Sequence, residues 1–284
     1  MPWYGCGVWY ASTATELITE PPRSLGTDIE MTPPSAGQHA VAHAVPEEVS
    51  SPSNSERLAD FDFLDLGASK GMMIDFAKRE LGGTRGMGID INAAKVEVMQ
   101  QRGYDCLLAD ATRMEFPSDS VRFVTMCHFL EHLPNYAAIE RSIQCAASVA
   151  TDFIYIQGPY FDADRYLHDR ALKYFWSDWS GHTCHLTTDF LGALLDGNGL
   201  SDYVMLGRKP VEDSSHPSIL PLDAPIDQHE YDPDIHSPKS LVAFDASLYM
   251  EIICVVALRP LENWNEIVTA PTDCHLIRGT LPYG

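Results

Sequence analysis

Two short stretches of this chain place chemically capable side chains at close spacing. The first, D-L-G-A-S-K-G over residues 65–71, sets a carboxylate ahead of a glycine-bounded turn. The second, H-F-L-E-H-L-P over 128–134, offers His128, Glu131 and His132. Between them stand Asp90 in G-I-D-I-N (88–92) and Asp110 in L-A-D-A (108–111). Ionised carboxylates only accept hydrogen bonds, which suits ligand hydroxyls and amines. Histidine adds a group that exchanges protons near neutral pH.

Several chemistries compete for these residues. Gly67-Ala68-Ser69-Lys70-Gly71 matches the G-x-S-x-G elbow, with Ser69 as the nucleophile of an esterase. That elbow needs earlier strands to donate an oxyanion amide, and the chain before Phe61 is rich in Pro, Ser, Thr and Ala, with no H-G-G-G-like segment. A dinucleotide fingerprint fails at Ser69, where its second glycine belongs, and a Walker A loop fails because Gly71 follows Lys70. His128 to His132 also reads H-x-x-E-H, a zinc-protease pattern that needs both histidines on one helix. Pro134 breaks helical geometry just beyond His132, so that helix is not expected. His182-Thr183-Cys184-His185 is a second metal-like cluster, read as packing or capping. No metal site is assigned.

The elements that must position these residues follow from pattern. An apolar β-type run from Phe61 ends at Asp65, breaks at the glycine turn and gives way to helix formers from Met72. Strand, glycine turn, helix is the opening of a doubly wound α/β unit, in which ligands sit off the carboxyl ends of the strands. Gly67 and Gly71 would let the backbone approach a ligand where a Cβ obstructs. A second strand over 84–91 ends at Asp90, placed to accept from the two ribose hydroxyls of an adenosine group. Asn92 can cap the helix over 92–102 and so release Asp90 from that duty. Further strands are expected over 104–108, 121–127, 153–157 and 200–207, with a helix over 187–196 stopped by Gly197-Asn198-Gly199. The run L-Y-M-E-I-I-C-V-V-A-L (248–258) is the clearest strand of the last third.

The four motifs 65–71, 88–92, 108–111 and 128–134, in this order, resemble the class I S-adenosylmethionine-dependent methyltransferases, in particular their small-molecule branch. The likeness is good over 60–159 and loose beyond it. It implies a Rossmann-like seven-stranded α/β sheet, mostly parallel, with an antiparallel last strand beside the fifth and helices on both faces. It also implies S-adenosylmethionine as cofactor, with S-adenosylhomocysteine as product. Asp65 and the backbone of Gly67, Ala68, Ser69 and Gly71 would hold the methionine end, and Asp90 with Ile91 the ribose. Asp110 would accept from the adenine amine, the Ala111 amide would face the ring, and Cys127 and His128 would lie near the sulfur. His128 is the favoured proton acceptor, ahead of His182, His168 and Asp162. Ser69 and Lys70 depart from the pattern, since many relatives carry a further glycine at the middle position.

Composition narrows the partners. The chain has 284 residues and a formal net charge of −21, which repels nucleic acid and anionic membrane surfaces. Its seven cysteines are scattered without a C-x-x-C pair, as expected of a reducing cytoplasm. No signal-peptide pattern opens the sequence and no apolar run is long enough to span a bilayer. Residues 1–57 read as a Pro/Ser-rich extension, 58–259 as the methyltransferase domain and 260–284 as a tail. Within the domain, 160–186 reads as an aromatic lid, with Tyr160, Arg165, Trp176 and His182 as candidate contacts to the acceptor, and 209–246 as a Pro/Asp-rich, loop-like insertion. A small-molecule or sugar-containing hydroxyl acceptor is expected, with esterase action at Ser69 or a non-catalytic binding role as the alternatives.

Overall fold

The computed structural model describes residues 58–280; the expected extension over 1–57 lies outside them. The chain alternates through β1 (Phe63–Leu66), α1 (Met72–Glu80), β2 (Gly86–Asp90), α2 (Ala93–Gln101), β3 (Cys106–Leu108), β4 (Val121–Cys127), α3 (Tyr136–Val149) and β5 (Ala150–Pro159). It continues through α4 (Asp164–His168), β6 (Leu172–Tyr174), α5 (Thr188–Gly197), β7 (Tyr203–Asp213), β8 (Ile219–Pro221), β9 (Ala243–Ala257), α6 (Trp264–Thr269) and β10 (Cys274–Arg278). The main sheet runs β10-β7-β9-β5-β4-β1-β2-β3, and β6 pairs β8 in a second, two-stranded sheet. Strands β1 to β5 are parallel. β9 runs antiparallel between β5 and β7, as expected of the 248–258 run. The carboxyl ends of β1 to β5 and of β7 therefore share one edge.

Continuous apolar runs make these central strands, because a parallel strand covered on both faces has no solvent side to alternate toward. All of β1 is buried, and two apolar clusters lie against the sheet. Phe63, Phe123 and Phe153 stack across β1, β4 and β5 with centroids 4.8 and 4.6 Å apart. The Phe63 ring lies 2.1 Å from where a Cβ on Gly86 would stand, so β2 must open on glycine. At α3, the Asn135 side chain accepts from the Ala138 amide at 3.0 Å. Asn135→Ala is expected to cost about 1 kcal/mol, read as a melting-temperature loss of roughly 2–4 °C.

The main sheet has eight strands rather than the expected seven. The added one, β10, comes from the stretch read as a tail; C-H-L-I-R is too short and too polar to announce itself, and its pairing with β7 supplies the order. β7 also continues past Gly207 into the expected loop, through Pro210 to Asp213. Pro210 lies beyond the pairing of β7 with β10, which ends at Arg208, and stands opposite Tyr249 of β9. β6 lies within 160–186 and β8 within 209–246, so the aromatic segment and the insertion pair with each other, Leu172 opposite Pro221. No described helix is long and apolar enough to cross a membrane.

Candidate active site

The carboxyl edge of the sheet is built around the turn between β1 and α1. Gly67, Ser69 and Gly71 all take left-handed φ values of 73°, 52° and 85°, which glycine adopts freely and serine at some cost. The turn is tied to β2: the Gly67 and Ala68 amides donate to the Ile89 carbonyl at 2.8 and 3.0 Å. A Cβ on Gly67 would meet Phe129 at 2.5 Å, and one on Gly71 would meet Tyr104 at 2.7 Å. Two aromatic rings therefore stand where side chains on these glycines would point.

Asp90, buried at the end of β2, locks this turn to the next one. Its Oδ2 accepts from the Ser69 amide and its Oδ1 from the Asn92 amide, both at 2.8 Å. Asn92 caps α2 through Ala94 and Lys95, so Asp90 is spared that duty. Ile91 beside it is exposed. Asp65, at the end of β1, is 1 % exposed. Its Oδ1 accepts from the Thr125 hydroxyl at 2.8 Å, while its buried Oδ2 has no partner among the described residues. Burial raises this carboxyl to about 7, against the lowering by Thr125 and with help from the Asp90 charge. Asp110 follows β3 and folds back on its own turn, accepting from the Thr112 amide and hydroxyl at 3.0 and 2.7 Å and pairing with Arg113 at 3.3 Å. Ala111 is buried behind it. Asp65, Asp90 and Asp110 thus stand at the ends of three neighbouring strands.

At the tip of β4, Cys127 is half-buried and His128 takes φ 47°, its amide donating to the Gln157 carbonyl at 2.8 Å. The His128 Nδ1 lies 3.2 Å from Glu131 and its Nε2 3.9 Å from Glu251. Burial alone would lower this imidazole, but the two carboxylates outweigh it and hold the pKa above the usual histidine value. The same pairing keeps Glu131 below the carboxylate range despite burial. Glu251 on β9 also accepts from Gln157 at 3.2 Å, Arg208 at 2.7 Å and Lys209 at 3.2 Å. Tyr155 donates to Gln157 at 3.2 Å, completing a polar network across four strands. Sequence reasoning missed Gln157, Arg208 and Glu251; the one available signal was a lone acid inside the apolar run 248–258.

Leu130–His132 forms a single 3-10 turn, so the two histidines of H-x-x-E-H share no helix. Among the described residues no histidine hydrogen-bonds the Ser69 hydroxyl, which leaves the esterase reading without a base. A cleft lined by Arg122, Asp152 and Arg259 lies at the opposite edge of the sheet, where Asp152 bonds both guanidinium groups.

A SAM-dependent methyltransferase from Archaeoglobus fulgidus is 17% identical, with 69% of this chain and 85% of that one covered at a TM-score of 0.48. One from Methanosarcina mazei is 14% identical, covering 70% and 92% at 0.44. Magnesium protoporphyrin IX methyltransferase from Synechocystis, solved with bound SAH, is 14% identical, covering 71% and 76% at 0.41. No curated protein sequence matches the chain. Residues 63–151 match a family described as a methyltransferase domain. Over that segment the chain resembles a methyltransferase domain, and its architecture is of the Rossmann-like α/β class.

S-adenosylmethionine is the cofactor that the resemblance carried by the four sequence motifs implies. The site fits its polar groups on two counts. Asp65 offers a buried carboxylate oxygen with no protein partner, and Asp90 stands at the strand end where a ribose is read.

The segment expected to contact the acceptor divides in two. Tyr160 and Trp176 are 8% and 4% exposed. The Trp176 ring stacks on Tyr174 at 4.1 Å and its indole N–H donates to the Tyr160 carbonyl at 3.1 Å. Both rings are packed against their neighbours in this structure. Arg165 is exposed on α4, away from this core. His182 is half-buried, its Nδ1 2.9 Å from the Trp176 carbonyl, and burial lowers its pKa. His168 is exposed, and Asp162 caps α5 by accepting from the Thr188 amide at 3.0 Å.

Proposed function

We propose that the domain methylates a hydroxyl of a small-molecule or sugar-containing acceptor, with Asp65, the 67–71 turn, Asp90 with Ile91, Asp110 with Ala111, and Cys127 binding the cofactor. S-adenosylmethionine supplies an already activated methyl group, so the chain's own work is binding, alignment and exclusion of water. The observation that carries the reading is His128 at the tip of β4, an imidazole held in place by Glu131 and Glu251. An oriented histidine next to the reacting centre takes the proton that a hydroxyl must lose. The net charge of −21 supports an acceptor other than nucleic acid.

The purified chain is incubated with methyl-labelled donor and extracts or panels of hydroxylated and amine-bearing small molecules. Transfer to hydroxyls, giving products stable to mild base, is the expected result; label only in amines overturns the choice of oxygen, and no labelled product supports the non-catalytic alternative. With an acceptor in hand, His128→Ala is expected to lower kcat about a hundredfold while cofactor affinity changes less than threefold. Loss of cofactor binding instead would reassign His128 to the cofactor.

A further inference from the structure

We propose that Glu131, His132 and His182 form a binding site for one divalent transition-metal ion, of the zinc kind rather than magnesium. Candidate ligand atoms of the three residues lie within 4.8 Å of one another. A metal bonded to nitrogen and oxygen at about 2.1 Å in tetrahedral geometry spaces its ligands by about 3.4 Å, so small side-chain rotations close the set.

The two imidazoles are already prepared for the task. His132 Nδ1 lies 2.8 Å from the Gly181 carbonyl and His182 Nδ1 2.9 Å from the Trp176 carbonyl. A carbonyl only accepts, so the neutral form of each ring carries its proton on Nδ1 and offers the Nε2 lone pair to an ion. Metal-binding histidines are oriented in this way, the second nitrogen donating to a carbonyl or carboxylate. Glu131 is buried, and His128 engages its Oε1 at 3.2 Å, which leaves Oε2 for an ion. Two further bonds hold the ligand loops together: the Cys184 amide donates to the Glu131 carbonyl at 3.2 Å, and the Thr183 hydroxyl donates to the Leu133 carbonyl. His132 is exposed, so the site opens to solvent.

Two neutral imidazoles and one carboxylate leave coordination positions for water or substrate, and they select zinc, iron(II) or cobalt over the oxygen-seeking magnesium and calcium. If the acceptor hydroxyl reading holds, an ion here would orient that oxygen beside His128; the binding itself does not rest on that reading.

The test uses the full chain stripped of metal with a chelator, without donor or acceptor, so that it is independent of methyl transfer. Zinc and magnesium are titrated by equilibrium dialysis, and cobalt(II) is added to read ligand-field absorption. One equivalent of zinc, no magnesium at equal concentration and a visible cobalt band are expected. His182→Ala and His132→Ala should each weaken zinc at least tenfold and alter the cobalt spectrum, whereas His185→Ala, whose imidazole pairs with Asp164 at 3.0 Å, should not. Melting curves with and without zinc guard against misfolding: a folded variant that has lost the zinc-induced rise supports the site. No stoichiometric zinc in the wild-type chain overturns the proposal, as does binding unchanged in both folded variants.

Discussion

Asp90→Ala is expected to weaken S-adenosylmethionine binding by a factor of roughly 10² to 10⁴, measured by calorimetry. Two hydrogen bonds from ribose hydroxyls to a carboxylate are lost, each worth about 1.5–3 kcal/mol, and 1.4 kcal/mol is tenfold in affinity. The same carboxylate holds the Ser69 and Asn92 amides at 2.8 Å, so the glycine turn loosens as well. Binding and stability must therefore be measured separately, with titrations run well below each variant's melting temperature. Asp90→Asn keeps the volume and one acceptor oxygen, and its affinity should fall between those of wild type and Asp90→Ala. An alanine variant that binds within threefold of wild type would remove Asp90 from the cofactor site and leave it as a tie between turns.

The sequence could announce Asp65 and Asp90 because each closes an apolar run at a glycine or asparagine turn, and such signals are local. It could not announce the network around His128. Glu251 lies on a strand 94 residues beyond Gln157, and only the antiparallel insertion of β9 brings the two to 3.2 Å. Tyr160 and Trp176 were legible as aromatic, but the packing of Tyr160 edge-on against Tyr249 of β9 joins residues remote in sequence. His132 and His182 are likewise remote in sequence; their rings come to 5.0 Å because the aromatic segment folds back over the β4 tip. Local pattern fixes strand ends, whereas clusters assembled from distant segments need the topology.

Asp65 gives the second large effect, and it depends on pH. In the ligand-free protein, burial holds this carboxyl near 7 instead of 3.8, with Thr125 opposing and Asp90 assisting. Between those two values the unfolded chain is ionised at this residue while the folded one still carries the proton. Stability therefore falls as pH rises through that window, by about 4 kcal/mol in all at 1.36 kcal/mol per unit. A bound ammonium reverses the preference, because the ionised form then has its partner. Cofactor affinity should rise about tenfold per pH unit up to about 7 and level off above it, with net proton release on binding below that point. Asp65→Asn should flatten this dependence. At pH 8 it should weaken binding by about 3–5 kcal/mol, the cost of breaking a buried ion pair, while the ligand-free variant melts higher than wild type. Calorimetry from pH 5.5 to 8.5 in buffers of different ionisation enthalpy reads both affinity and proton count. An affinity that is flat with pH in the wild-type protein would mean that the unpartnered Oδ2 of Asp65 faces something other than the cofactor's ammonium.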